Sequence, residues 1–527
     1  MGTLPGAVKE RRRDTIEEGT APDQPRWLTT IQIALSIWLA FWMVRCIVSS
    51  LHWPLVNDGS VLSYIVFLID HGMAPYRDIT ETSFPGTYLL FWMERHTFGP
   101  GAFAFRLFDL AWLAVAFAAM MVIARRPGMW FAGVFGGAFF LLAHTGAPQS
   151  LNDLGQRDFF MSCLFLCCFA FVFETIRRQN ALLMFGAGFC LAAASTIKPT
   201  SLVFGLVLLL AFIRIRKLGR PLGAYLWMSL AGMAVPFVIV LAFLIHEKAT
   251  GPFIHIVRNL IPAYAVAGDA DWVFMFLSIV WPAWLIVSLV SACLLVALQP
   301  RISSCWEQQL LFVGSILGAI SFLAQHKGFH YQATPFLAFG CIWIATVLVE
   351  TLQGPTFCRN LALAALFVSA LAFPFLLKKP VYDLDFLDRL HRDLSGLGAE
   401  RELGKIQCLE TMAECLTVLH DMKLVQATGF VGDLYFFLPE KYPIVNELRQ
   451  RFLAELNEGK PDIIVLSDDQ WPVRDWRGYD QLDSWPAFEH YLDENFHIFV
   501  QRETYTLRPR GYRVYVRNDK DHAPRMR

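Results

Sequence analysis

An excess of charge of either sign is missing from this chain: 45 basic residues balance 45 acidic ones, and charged residues are only 17% of the 527. A nucleic-acid partner, which needs a basic face, is therefore not expected. Motifs with chemistry of their own are missing too. There is no GxGxxG, Walker, GxSxG or HExxH pattern, no internal repeat and no low-complexity linker, which excludes the usual nucleotide, serine-hydrolase and zincin readings. None of the eleven cysteines forms a CxxC pair, and nine lie in or beside apolar segments, where cysteine behaves as a small hydrophobe. No metal ligand set is expected. Cys408 and Cys415 lie in a polar stretch seven residues apart; on one helix their Cα atoms would be about 10 Å apart, too far for a disulfide.

What is present is hydrophobic length. Hydrophobic residues make up 55% of the chain, well above the share in soluble domains. The segment from Trp27 to Val48 follows Arg11, Arg12 and Arg13 and is not followed by a small-residue cleavage site, so it reads as an uncleaved anchor with its N-terminus inside. Further apolar stretches at 103–124, 130–146, 158–174, 181–197, 200–213, 223–245, 272–298, 309–325, 331–350 and 360–377 give about eleven transmembrane helices.

Loop charge sets the orientation. If the short piece from Phe84 to Phe98 crossed the membrane, the arginine pairs at 125–126 and 177–178 and the run from Arg214 to Arg220 would fall outside. Laid on the surface, it leaves about 15 Lys/Arg inside against about 7 outside, as the positive-inside rule requires. Residues 49–102 then form one long outer loop with two juxtamembrane helices, 60–71 and 84–98. The expected organisation is a cytoplasmic tail, 1–26, a transmembrane domain, 27–377, and an extracytoplasmic soluble α/β domain, 378–527. In that last domain 423–430, 461–469, 496–507 and 511–518 read as strands, and 383–398, 403–422 and 446–458 as helices. The protein is expected in the inner (plasma) membrane.

With this topology four polar groups gather at the outer ends of spans, where ionisable residues are candidates for function. Asp58, in HWPLVNDGS, could serve as a general base or merely form a turn. Asp153, Arg157 and Asp158 open a span, where an acid also complements the helix dipole. Lys198 could snorkel or meet a phosphate as a point charge. Lys327, His330 and Tyr331 follow a span directly and could be plain loop residues.

From Asp58 onward the chain reads Asp58-Gly59, Tyr64, His71-Gly72-Met73-Ala74-Pro75-Tyr76-Arg77-Asp78-Ile79 and Pro85-Gly86-Thr87-Tyr88-Leu89-Leu90. This resembles the first outer loop of the glycosyltransferase-C superfamily, in the branch of protein O-mannosyltransferases and lipid A aminoarabinose transferases. The resemblance extends over about 28–350 as a pattern of spans and loops. It implies an inverting membrane glycosyltransferase that moves a sugar from a polyprenyl-phosphate carrier, without a metal cofactor, to an extracytoplasmic acceptor. It also implies catalytic roles for Asp58 and Asp158 and contacts to the carrier phosphate from Lys198, Lys327 and His330. Many relatives carry an acidic pair at the first site, whereas Asp58 lies between Asn57 and Gly59; Asp78 or Glu81 could supply the second acid. A lipid-linked glycan flippase and an oligosaccharide ligase are the rival readings. The flippase would be expected to show duplicated halves and charges near mid-membrane, and the sequence shows neither.

Overall fold

The computed structural model describes residues 25–147, 150–280, 283–376, 385–400, 402–411, 414–468, 478–504 and 510–518. Most of the expected 1–26 tail and the expected boundary at 377–378 lie outside them. The chain is a multi-pass helical membrane protein with a small sheet-containing domain after the last long apolar helix.

The first helix is α1 (Arg26–Ser50), and α2 (Asn57–Asp70) and α3 (Pro85–Phe98) follow it. Then come α4 (Ala102–Ile123), α5 (Trp130–Gly146), α6 (Arg157–Arg178), α7 (Leu183–Ile197), α8 (Gly205–Lys217) and α9 (Leu222–His246). The short α10 (Thr250–His255) and α11 (Ile261–Ala265) flank a π-helical turn and lead to α12 (Trp272–Val280), α13 (Ala283–Leu298) and α14 (Pro300–Ser303). The helical domain ends with α15 (Trp306–Gln325), α16 (Thr334–Thr351) and α17 (Thr356–Leu376). Among the described residues seven helical segments are long and apolar enough to cross a membrane, and four shorter apolar ones accompany them. They fall on the stretches expected from sequence, except that the expected 272–298 is divided between α12 and α13, and α2 and α3 fall where two helices of the 49–102 loop were expected.

Packing sets the order from centre to edge. Helices α6 and α16 are almost wholly enclosed, whereas α1 and α9 leave most of their length open. Along α1, Ile37, Phe41, Val44 and Val48 are exposed, an apolar face suited to lipid tails. Because such tails are as apolar as the helices, association inside a bilayer rests on close van der Waals contact. Ring contacts supply it at the centre: Phe165 stacks on Phe204 at 3.9 Å, and Phe169 meets Phe339 at a tilt, 4.3 Å between centroids.

The end of the bundle away from α2 and α3 is tied by ions. Arg126 bridges Glu307 and Glu350 at 2.9 and 3.1 Å, Arg177 reaches Glu307 at 3.0 Å, and Glu174 gathers Arg177 and Arg178. This network joins the α4–α5 turn, the end of α6, the start of α15 and the end of α16.

The C-terminal domain contains α18 (Asp385–Glu400), β1 (Ile406–Leu409), α19 (Glu414–Asp421), α20 (Pro443–Gly459), β2 (Ile463–Ser467), α21 (Asp480–Asp483), α22 (Pro486–Asn495), β3 (Phe496–Thr504) and β4 (Arg510–Arg517). The sheet order is β1-β2-β4-β3, with β1 parallel to β2 and the other pairs antiparallel. Three expectations fail here. The stretch 403–422 is not one helix: all four residues of IQCL are buried and pair with β2, which suits a strand covered on both faces better than an amphipathic helix. That split also overturns the expectation of two unlinked cysteines. Cys408 on β1 and Cys415 on α19 lie with their Cα atoms 5.9 Å apart and form a disulfide. The segment 423–430 makes isolated bridges rather than a strand.

The domain rests on the loop 49–102 and its helix α2. Thr417 on α19 donates to Ser60 on α2 at 2.8 Å, and the Tyr64 hydroxyl of α2 donates to the Leu424 carbonyl at 2.9 Å.

Candidate active site

Asp58 occupies the first turn of α2. The preceding Asn57 has a left-handed backbone, φ 50°, which asparagine tolerates, and its Nδ2 donates to Asn152 at 3.1 Å. Next to Asp58, Gly59 abuts Gly155 (φ 80°), and a Cβ on Gly155 would lie 2.7 Å from the Gly59 Cα. Two glycines thus bring the start of α2 against the loop that leads into α6, and Asp58 meets Arg157.

The Asp58 side chain caps nothing. Among the described residues no group donates a hydrogen bond to it, and its one close partner is Arg157, Nη2 to Oδ2 at 3.7 Å. The side chain is 39% exposed, yet protein atoms and charges surround it. Burial pushes its carboxyl above the usual carboxylate range and Glu81 adds to the shift, while Arg157 and Lys198 oppose it.

Arg157 and Asp158 start α6 and do different work. Arg157 Nη1 donates to Ser83 Oγ at 2.9 Å, whereas its buried Nε finds no acceptor among the described residues. Asp158 is buried, and both its oxygens accept from Lys198 Nζ, at 3.0 and 2.9 Å. Lys198, at the end of α7, also donates to Gln325 at the end of α15. Asp158 is therefore a partner that fixes Lys198, and Asp58 is the carboxylate left open.

The two candidate second acids part company. Asp78 is held by Arg77 at 2.7 Å and accepts from the Ala74 amide at 2.8 Å. Glu81 faces the cluster: Oε1 accepts from the Ser83 amide and hydroxyl, both at 3.1 Å, and Oε2 accepts from the Tyr435 hydroxyl at 2.7 Å. The chain Glu81, Ser83, Arg157, Asp58 is continuous.

The loop between α15 and α16 also divides. His330 pairs with Asp153 at 2.9 Å, and Tyr331 is close enough to Asp58 and Arg157 to feel both charges. Lys327, instead of projecting into the site, donates to the Ala265 carbonyl at 2.6 Å, to that of Ala267, and to Asp269 at 3.2 Å. It pins the end of α11 and the segment after it; on α11, Tyr264 feels the Arg157 charge, and burial raises its phenol to about 12.

Sequence reasoning missed Ser83, Tyr264, Gln325 and Tyr435. Ser83 and Gln325 lie beside residues that were singled out, within reach of a search of their neighbours. Tyr435, in GDLYFFLPE, carries no local signal. Among the described residues no three His, Cys, Asp or Glu side chains converge as a metal site.

No protein-family model matches the chain, and no curated protein sequence matches it. Solved structures do resemble it. ArnT from Cupriavidus metallidurans, bound to undecaprenyl phosphate, superposes with a TM-score of 0.53 at 13% identity over 93% of this chain and 98% of that one. The archaeal oligosaccharyltransferase AglB from Archaeoglobus fulgidus, in complex with an inhibitory peptide and a dolichol-phosphate, gives 0.52 at 10% identity over 85% and 70%. The arabinofuranosyltransferase AftD from Mycobacteria gives 0.50 at 12% identity, with 92% of this chain on 40% of that one. At identities this low the likeness is one of fold, which the chain shares with these proteins.

Proposed function

We propose that this protein is an inverting glycosyltransferase that moves a sugar from a polyprenyl-phosphate carrier to an extracytoplasmic acceptor, without a metal. The observation that carries the reading is one unsatisfied donor beside one open carboxylate. Arg157 keeps an unpartnered N–H beside an open carboxylate, Asp58. Buried donors are nearly always satisfied, so an orphaned guanidinium N–H marks a place for an anion. The polyprenyl phosphates bound in the two similar structures supply its chemical class.

In this reading the acceptor hydroxyl attacks the anomeric carbon as the carbon–phosphate oxygen bond breaks. Its proton passes to Asp58, whose raised pKa suits a base working near neutral pH. The polyprenyl phosphate leaves with the bonding pair, and Arg157 meets the developing charge, with Lys198 held nearby by Asp158 and Gln325. Such preorganised donors are the usual main source of stabilisation. Lys327 and His330 act one step away, holding the loops that bring Tyr264 and Tyr331 to the site.

The loop-charge count supports a cytoplasmic N-terminus and an extracytoplasmic C-terminal domain. So does the Cys408–Cys415 disulfide, since such bonds persist in oxidising compartments. The test is to incubate purified protein with labelled polyprenyl-phosphate sugars. Transfer or hydrolysis is expected; scrambling of the lipid between leaflets with no release of sugar would overturn the assignment.

A further inference from the structure

The loop that carries Glu81 satisfies only part of its hydrogen bonding by itself. The Thr80 amide donates to the Gly429 carbonyl at 2.9 Å, and Arg451 on α20 donates to the carbonyls of Arg77 and Asp78 at 3.1 and 3.3 Å. Gly429 is pressed so close that a Cβ there would lie 1.5 Å from the Asp78 carbonyl oxygen. The Thr82 amide donates to the Tyr435 hydroxyl at 3.3 Å, and that hydroxyl donates to Glu81 at 2.7 Å. Every one of these partners belongs to the C-terminal domain. Tyr435 is fully buried, a place where a phenol stays only with its polar end engaged.

Tyr435 is the first link of a chain. Its hydroxyl fixes one oxygen of Glu81; the other accepts from the Ser83 hydroxyl, whose oxygen in turn accepts from Arg157 at 2.9 Å; and Arg157 faces Asp58. We infer that Tyr435 is a positioning residue of the transfer site: from the C-terminal domain it sets the Glu81–Ser83–Arg157 chain and so places the guanidinium beside Asp58. The consequence for turnover rests on the proposed transferase reading; the positioning itself does not. The domain is thereby a component of the site and not an appended module. Removing a buried donor to a charged acceptor is costly, but here the loss would reach the reaction only through Glu81.

Tyr435→Phe keeps the ring and deletes the hydroxyl. Amide hydrogen exchange, which needs no substrate, should show protection at Thr82 and Ser83 falling about tenfold or more while the strand amides of Ile463–Ser467 keep theirs. In the transfer assay kcat should fall about tenfold, and Tyr435→Phe combined with Glu81→Gln should be no slower than Glu81→Gln alone, since a residue acting through another is not additive with it. Glu81→Gln approaches the link from its other end and should also lower protection at Ser83, which serves if Tyr435→Phe yields little folded protein. Unchanged protection at Thr82 and Ser83, or full additivity of the two substitutions, would overturn the inference. A wild-type protein that moves no sugar would defeat the transferase reading while the exchange result still decides the role of Tyr435.

Discussion

Replacing Asp58 by Asn separates structure from chemistry because the carboxylate does so little for the fold. It caps no helix N–H, and its only ion pair among the described residues, with Arg157, is long at 3.7 Å and 39% exposed on the Asp58 side. Such a pair contributes about 0–1 kcal/mol, and the loss of an acid from a helix first turn costs about 0.3–1 kcal/mol. Unfolding should therefore move by no more than about 1–2 kcal/mol. Loss of a general base lowers turnover by about 10² to 10⁴, or about 2.7–5.5 kcal/mol in the barrier. The assay is transfer from a labelled polyprenyl-phosphate sugar beside thermal unfolding of the same detergent-purified sample. Its pH dependence is a second check: the base must be ionised, and burial raises its pKa, so kcat/KM should fall through an acid limb above the ordinary aspartate range, and the variant should lose that limb. A folded Asp58→Asn protein that transfers within about threefold of wild type would refute the reasoning, because nothing else in the geometry gives Asp58 a purpose.

Arg157→Ala should weaken donor binding, read as a rise in KM or in the Kd for the polyprenyl phosphate, by about tenfold or more, the share of one charge-assisted contact. Lys327→Ala should act differently. With its ammonium spent on carbonyls and Asp269, the variant should lose melting temperature and kcat with little change in donor KM, as thermal unfolding and initial rates would show. Glu94 on α3 is buried, and burial raises its carboxyl to about 8. A folded pKa above the unfolded one means stability present at low pH and lost as pH rises toward 8, so Glu94→Gln should raise the melting temperature near pH 8.5 and hardly alter it near pH 5. Addition of EDTA should leave turnover unchanged; a loss restored by a divalent cation would contradict the metal-free mechanism.

Reading the sequence alone located the spans because each apolar run is interrupted by charged or glycine-rich turns, and loop charge alone separated α3 from the spans. Asp58, Arg157, Asp158 and Lys198 were legible for a related reason: an ionisable residue at the rim of an apolar run stands out. Which of them is free and which is paired was not legible, because that depends on helix ends distant in sequence. Lys198 and Asp158 are 40 residues apart, and Lys198 and Gln325 are 127 apart. Lys327 looked like a phosphate ligand because its pairing with the Ala265 and Ala267 carbonyls leaves no trace in residue type. The strand at Ile406–Leu409 was lost to a helix since four buried residues have no diagnostic period. Tyr435 is separated from Glu81 by 354 residues, and no local pattern could announce it.

The ion network at the far end of the bundle also bears on what this molecule cannot easily do. A carrier that works by alternating access must open each end of its pathway in turn, with one bundle rocking against another. Here Arg126, Arg177, Glu174, Glu307 and Glu350 bind α6, α15, α16 and the α4–α5 turn together. Opening that end would part several charges within one stroke, in surroundings where an unmatched ion is expensive. A bundle whose helices are tied together by charge at that end is poorly suited to rocking one half against the other.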